Sequence, residues 1–381
     1  MNVTYGFPIR NLVLAATLSA GLSFMPLAFG QQISYIVDSN SGELTRLGSL
    51  DGSYFSLSDI NDAGQVVGES LTEGNRVHAF ITGPNGIGMT DLGELGGGES
   101  YARGVNAAGQ VVGYSPVLIG STFFTHAFIT GPNGVGMTDL GTLGGDYSNA
   151  QDINDAGQVV GFSATAGGDY HPFITGPNGV GMIDLGVPDG AYQGGASSIN
   201  DAGQVVGTVN TGTENYQAFI TGPNGAGMTI LGSLGEGNSA PSGINATGQV
   251  VGNFYPTEGN PHAFITGLNG VGITDLGTLG GGDYSSALDI NDAGQVVGYS
   301  DTAESKHSLH AFITGPNGEG MTDLNSLVSL PDGYVLTQAL AINNSGQVIV
   351  IGVVPEPAAY ALMLAGLGLV GFKARREKSA K

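Results

Sequence analysis

The stretch HAFITGPNGVGMTDLGTLGGDYSNAQDINDAGQVVG, residues 126–161, decides the fold. It holds four short runs rich in β-branched and aromatic residues: His126–Thr130, Met137–Leu140, Asn149–Ile153 and Gln158–Gly161. Gly, Asn and Asp bound each run, the pattern of strands separated by tight turns. Gly131-Pro-Asn-Gly134 joins the first pair, with proline at the second turn position. Asn154-Asp-Ala-Gly157 joins the second pair, with Asn first and Gly last, as a type I turn prefers. Helical periodicity is absent from residues 31–354.

The same stretch recurs along the chain. Asn-X-X-Gly-Gln-Val begins at Asn61, Asn106, Asn154, Asn200, Asn245, Asn291 and Asn343, with spacings of 45, 48, 46, 45, 46 and 52. The His-Ala-Phe element begins at His78 and His126, recurs with small changes at His171, Gln217, His262 and His310, and has a worn copy from Ile33. Four strands in about 46 residues is the size of a propeller blade, so the expected fold is all-β, a seven-bladed β-propeller of four-stranded antiparallel blades. A β-solenoid is the second choice, because its coils are usually shorter. Two closures fit. The blades are contiguous if the His-Ala-Phe strand is innermost; otherwise the last blade takes two strands from each end of the chain.

The repeat closely resembles the HAF-type extracellular repeat, on His-Ala-Phe at 78–80, 126–128, 262–264 and 310–312 and on Asp139-Leu-Gly-Thr-Leu-Gly-Gly145. The likeness covers nearly all of residues 33–352. Ile-Thr stands where that family often carries a Trp. The resemblance implies an extracellular setting and no particular chemistry.

Both ends read as addresses. Arg10, the apolar run Leu12 to Ala28, and Ala28-Phe29-Gly30 make residues 1–30 a secretory signal peptide, which leaves 31–354 as the repeat body. Residues 355–381 hold Pro355-Glu356-Pro357, an apolar run from Ala358 to Phe372, and a basic finish with Arg375 and Arg376. This resembles the PEP-CTERM sorting signal of Gram-negative bacteria. The resemblance implies an exosortase-type processing enzyme as partner and a cell-surface or extracellular location. Fifteen apolar residues followed by cations also allow transient membrane contact through the tail.

Charge excludes several functions. Residues 31–354 carry four basic residues against 30 acidic ones, a net of −26. Such a surface repels nucleic acid, whose phosphates need clustered Lys and Arg. Loose calcium binding by the acidic surface is compatible with it. The chain has no cysteine, so no disulfide contributes to its stability.

No catalytic constellation stands out. Asp59-Ile-Asn61-Asp62-Ala63-Gly64 resembles a calcium loop, but Ala63 has no side-chain oxygen and only Asn, Gly and Gln persist in all copies, which marks a turn. His307 and His310 lack a third ligand. No dedicated cofactor or metal site is expected. With 30 acidic residues, a close carboxylate pair carries no information about glycoside hydrolysis.

Two sets of residues remain. His78, His126, His171, His262 and His310 are each followed thirteen residues later by Asp91, Asp139, Asp184, Asp275 and Asp323. The copies with Gln217 and Ile33 carry Ile230 and Arg46 instead, so His and Asp come and go together. With a two-residue loop at Pro84-Asn85, His78 would face Asp91 directly, and a one-residue bulge would offset them; the simplest reading is a structural hydrogen bond fixing the hairpin, the other being metal binding or catalysis. The second set is Tyr54, Tyr101, Tyr147, Tyr192, Tyr284 and Tyr334, which lie in the loop before each third strand, with Ser239 in the remaining copy. Variable loops with Phe123, Phe124, Tyr170, Tyr216 and Tyr255 should share that face. The tyrosines either wedge between blades or form a ligand face. The likeness of the copies favours a noncatalytic surface or matrix protein binding exopolysaccharide or another cell-surface partner. The alternative is a propeller enzyme, a hydrolase or lyase, acting on extracellular polysaccharide.

Overall fold

The computed structural model describes residues 32–50, 55–212, 216–232, 234–235, 237–303, 305–331 and 333–353. The first strands are β1 (Gln32–Asp38) and β2 (Leu44–Arg46). Next come β3 (Phe55–Ile60), β4 (Val66–Leu71), β5 (Val77–Ile81) and β6 (Thr90–Asp91). The third group is β7 (Tyr101–Val105), β8 (Val111–Ile119), β9 (Thr122–Thr130) and β10 (Met137–Asp139). After it lie β11 (Gly144–Ile153), β12 (Val159–Thr165), β13 (Tyr170–Thr175) and β14 (Met182–Asp184). The pattern continues with β15 (Gln193–Ile199), β16 (Val205–Asn210), β17 (Tyr216–Thr221) and β18 (Met228–Ile230). It repeats in β19 (Gly237–Ile244), β20 (Val250–Pro256), β21 (His262–Thr266) and β22 (Ile273–Gly277). The last are β23 (Ser285–Ile290), β24 (Val296–Thr302), β25 (Ser305–Thr314), β26 (Met321–Asp323), β27 (Val335–Ile342) and β28 (Gln347–Val353).

These strands form an all-β propeller of antiparallel blades, but the expectation of seven separate blades is corrected. Five four-stranded blades stand alone: β3–β6, β15–β18, β19–β22, β23–β26 and β27-β28-β1-β2. The other eight strands, β7–β14, run together in one sheet. The join is a single parallel bridge between Tyr147 of β11 and Thr125 of β9. Thr125 directly precedes His126, and other junctions carry a related bond, from Ser100 N–H to the Val77 carbonyl and from Ser285 N–H to the Pro261 carbonyl.

Closure takes two strands from each end, since β1 pairs with β28 from Gln32↔Val353 to Asp38↔Gln347. The His-Ala-Phe strand is therefore not innermost. The inner strands are β3, β7, β11, β15, β19, β23 and β27, and each contacts the next around the axis. They begin at the end of the ring where Gln32 and Val353 pair, here called the top. The tight turns lie at the bottom.

The bottom is locked by asparagine. The Asn61 side-chain N–H₂ donates to the Asn106 carbonyl, and Asn106, Asn154, Asn200, Asn245 and Asn291 repeat the contact to the next asparagine. Asn343 donates back to Asn61, which closes the ring of seven bonds at 2.9–3.3 Å. Each Asn is buried and its Oδ1 accepts the amide of its own Gln, as from Gln158 at 2.9 Å. The calcium-like loop is thus a turn whose polar atoms are spent on the protein.

Glycine is required at two recurring places. Gly161 faces a bulge in β11 between Ala150 and Asp152, and a Cβ there would lie 2.0 Å from the Asn149 carbonyl oxygen. Gly134, at φ +75°, brings its turn against the preceding blade, where a Cβ would lie 2.4 Å from Leu92. Asn133 beside it also takes a left-handed conformation, at φ 55°. The core lies between sheets. Phe128 is fully buried against Val67, Ile81 and Leu92 of the preceding copy, and Phe80, Phe173, Phe219, Phe264 and Phe312 are equally buried.

Three inner-strand aspartates bind neighbouring blades. Asp59 accepts the Val105 amide at 2.9 Å, Asp152 accepts the Ser198 hydroxyl at 2.7 Å and the Ile199 amide at 2.9 Å, and Asp289 accepts the Ile342 amide at 2.9 Å. Burial raises all three against the pull of these bonds: Asp152 to about 6, Asp289 to about 7, and Asp59 well above the ordinary 3.8, helped by repulsion from Asp152 and Asp289. The native state then keeps protons that the unfolded chain releases near pH 4. Stability from these groups is complete below that pH and is lost as pH rises through about 6 to 7. Stability is predicted to fall by on the order of a few kcal/mol between pH 4.5 and pH 8. Asp289→Ser, which copies Ser198 at the equivalent place, should flatten part of that slope in urea titrations. An unchanged slope would refute the assignment.

Candidate functional site

The five His–Asp pairs all form. His78 Nδ1 lies 2.8 Å from Asp91 Oδ2, and the closest approaches are 2.9 Å for His126–Asp139, 2.8 Å for His171–Asp184, 2.8 Å for His262–Asp275 and 2.7 Å for His310–Asp323. Of the two registers open from the loop length, the offset one is observed. Asp139 stands opposite Phe128, two residues beyond His126, so the contact is a diagonal one on a shared sheet face. The offset arises in the Gly-Pro-Asn-Gly turn, where Gly131 N–H donates to the Val135 carbonyl and makes the loop longer than two residues. Each Asp also holds its own following turn. Asp139 Oδ1 accepts the Gly141 amide at 2.7 Å, and Asp91, Asp184, Asp275 and Asp323 accept the amide two residues on in the same way. Ile230 opposite Phe219 and Arg46 opposite Tyr35 hold the same register position in the copies without histidine.

A serine missed in sequence joins three of these units, those of His78, His126 and His262, to the next strand. Ser148 accepts the Ala127 amide at 2.8 Å and donates to the Gly141 carbonyl, linking one copy's outer hairpin to the next copy's inner strand. Ser100, Ser239 and Ser285 accept from Ala79, Ala218 and Ala263 likewise. Where Pro172 removes the amide donor, the serine position is Gly194, and a Cβ added there would lie 3.4 Å from that proline. The pairing of Ala79, Ala127, Ala218 and Ala263 with Ser, against Pro172 with Gly194, was a legible signal, which the copy of Ala311 with Thr337 breaks.

The tyrosines share the top but not one register. Tyr147 and Tyr284 precede the linking serine, whereas Tyr101 follows Ser100 and leaves Glu99 in the Tyr147 place. Tyr54 lies outside the described residues. Tyr101 stacks on Tyr114 at 4.7 Å, and its hydroxyl donates to Glu99 at 2.9 Å. Tyr147 packs on Phe162 at 5.8 Å and edge-on to Tyr170 at 5.7 Å. Tyr284 meets the buried Tyr299 at 5.9 Å. Tyr192 is 48% exposed and accepts from Asn210, and Tyr334 is half-buried. The copies therefore differ: aromatic side chains gather on β7–β13, with a second group around Tyr284.

A charged pair that occurs at one junction among the described residues adjoins the larger group. Arg103 lies 3.6 Å from Glu69 Oε2, 5.3 Å from the Tyr114 ring centre and 3.3 Å from its hydroxyl. Glu69 Oε2 is buried without a hydrogen bond, and burial raises this carboxyl while Arg103 opposes the rise. Neither residue was singled out by sequence, although Arg103 is one of only four cations between residues 31 and 354. Among the described residues no group of three or more His, Asp or Glu is placed to hold a metal.

Residues 353–377 match the PEP-CTERM protein-sorting motif. Pro355, Glu356, Pro357, Arg375 and Arg376 lie outside the described residues but inside this match. The protein is thus exported to the surface or exterior of a Gram-negative cell and processed by an exosortase-type enzyme. No curated protein matches the chain. In fold it is similar to the β-propeller domain of the Trilobed protease from Pyrococcus furiosus, with 13% identity and TM-score 0.51 over 77% of this chain and 92% of that domain. It is also similar to a puromycin-hydrolyzing peptidase of Mycobacterium tuberculosis, with 9% identity and TM-score 0.53 over 81% of this chain and 54% of that one. A prolyl endopeptidase structure aligns at 11% identity and TM-score 0.53 over 82% of this chain and 49% of its own. The chain spans about half the length of these two peptidases, and at such identities the likeness is one of fold.

The His–Asp contact and the sorting motif can each be tested by substitution. His126→Ala and Asp139→Ala should each cost about 1–2 kcal/mol, and the double variant less than their sum. Strict additivity in a denaturation cycle would show that the pair contributes nothing jointly. Glu356→Ala should leave the C-terminal tail uncut and the protein in the membrane fraction, and a normally trimmed intact mass would disprove that role.

Proposed function

We propose that the protein is a noncatalytic exported surface or matrix protein that binds extracellular polysaccharide through the aromatic part of its top face. The single observation that carries this is the gathering of Tyr101, Tyr114, Tyr147, Phe162 and Tyr170 beside the Glu69–Arg103 pair. Flat half-buried rings suit the C–H faces of sugars, and the neighbouring carboxylates and guanidinium bond hydroxyls. A polymer crossing several such rings gains affinity by multiple weak contacts.

An enzymatic reading on the same polymer has one observation in its favour beyond the fold it shares with peptidases and hydrolases. Glu69 is an acid held above its ordinary pKa by burial, with an oxygen that accepts no hydrogen bond and is ion-paired to an arginine, a combination that serves proton transfer.

One experiment separates the two readings. The exported protein is titrated with the polysaccharide of its own host, and the polymer is then sized. Binding is expected to be far tighter than to the monosaccharide, with polymer length unchanged. Tyr101→Ala and Tyr147→Ala should each weaken it by about three- to tenfold, the worth of one ring contact, with little change in melting temperature. New reducing ends that vanish in Glu69→Gln would establish the enzyme instead. Lowered melting temperatures with unaltered binding would reduce the tyrosines to wedges between blades.

A further inference from the structure

Two hairpins run past the common length, β24–β25 as far as Thr302↔Ser305 and β8–β9, and only the second is free of charge. The sequence from Ser115 to Thr125 reads as a long apolar loop, yet it is an extended hairpin. β8 and β9 stay paired past Pro116↔Thr125 through Val117↔Phe124, Leu118↔Phe123 and Ile119↔Thr122. The corresponding hairpin of the next copy stops at Ala164↔Tyr170, the level of Pro116. Three further pairs carry the tip about 10 Å beyond its sister. Leu118 is 48%, Ile119 51% and Phe123 62% exposed. No charged residue lies between Ser115 and Thr125, whereas the sister tips carry Glu73, Asp169 and Glu258.

We propose that this tip is a lipid-docking element, which touches a membrane surface ahead of the rest of the top face. The occupant is indicated by where the chain leaves the fold. β28 ends at Val353, paired with Gln32 at the top, the end toward which the β8–β9 tip projects. Twenty-eight residues follow, including the apolar run 358–372 and the basic finish. The segment able to enter a bilayer therefore departs from the face that carries the apolar tip. Apolar groups of this size at the end of a projecting hairpin gain by leaving water. Electrostatic attraction to anionic lipid is not the driving force, because the repeat body carries a net charge of −26. The contact is one of apolar insertion into uncharged headgroups by the tip alone, and the aromatic rings of the same face, about 10 Å behind it along the strands, stay open to a polymer.

The absence of cysteine makes the test direct. Phe123→Cys in the full chain is labelled with an environment-sensitive fluorophore and reconstituted into phosphatidylcholine vesicles containing nitroxide-labelled lipid. Val135→Cys, on an exposed bottom turn, is the control. Quenching at position 123 and not at 135 is expected. Leu118→Asp in the same labelled chain should reduce that quenching several-fold while leaving the melting temperature unchanged. A water-exposed label at 123 in vesicles overturns the proposal. So does a label shielded from water but unquenched by lipid, which would mean that protein covers the tip, either a second copy or the chain's own tail. Polysaccharide binding is measured on the same samples, so failure here is separate from failure of the glycan reading.

Discussion

Everything in this fold hangs on the asparagine ring. A side-chain amide has two donors and one acceptor oxygen, and each ring Asn uses them to close its own turn and to grip the next copy. Asn154 shows the full set: it donates to Gln158 and to the Asn200 carbonyl, and accepts from Gln158 N–H. The atoms are buried, so losing one partner would leave an unpaired polar group away from water. No other side chain of that length offers donor and acceptor at that geometry, which explains why this Asn tolerates no exchange among the copies. A second, exposed tier is less strict. Asp155 N–H donates to Asp201 Oδ1 and Ala107 N–H to Asp155 Oδ1, but Ala107 and Ala246 supply no acceptor of their own. Exposed groups can turn to water, so that tier can be broken without penalty.

With the bottom locked, the remaining requirement is to join sheets without disulfides. Phe128 and its five counterparts fill the gaps between sheets, and the His–Asp–Ser units staple the outer hairpins to the next inner strand. The three buried aspartates do the same near the axis, at a cost in charge burial. Their neighbours in the following copy are small, Gly104, Ser198 and Ala341, because the carboxylate occupies the space. The two-plus-two blade ties both chain ends into one sheet, so neither end can fray without opening the ring.

Freedom is confined to the top. There the repeats diverge: an aromatic group with a Glu–Arg pair at one junction, a smaller tyrosine group elsewhere, and two hairpins that outgrow the rest. A scaffold of near-identical units that varies at a single face concentrates recognition at that face. The bottom, by contrast, is shaped by internal hydrogen bonding.

The sequence alone determined the repeat, the strand-turn pattern, the sorting signal, and the His–Asp partnership, because each is local or is repeated often enough for co-occurrence to show. His126 and Asp139 could be matched by spacing, but their diagonal register depended on the exact shape of the turn at Asn133. Only the tertiary structure decided which strand is innermost, how the ring closes, and that β9 and β11 merge two copies into one sheet. These depend on contacts between residues far apart in the chain, such as Gln32 with Val353. Glu69 with Arg103 escaped notice for the same reason: they come from different copies, and nothing periodic marks a pair that occurs once. The tyrosines looked equivalent because they sit in corresponding loops. In the folded ring a shift of one residue relative to the linking serine changes which face of the strand a side chain occupies, and that only pairing can reveal.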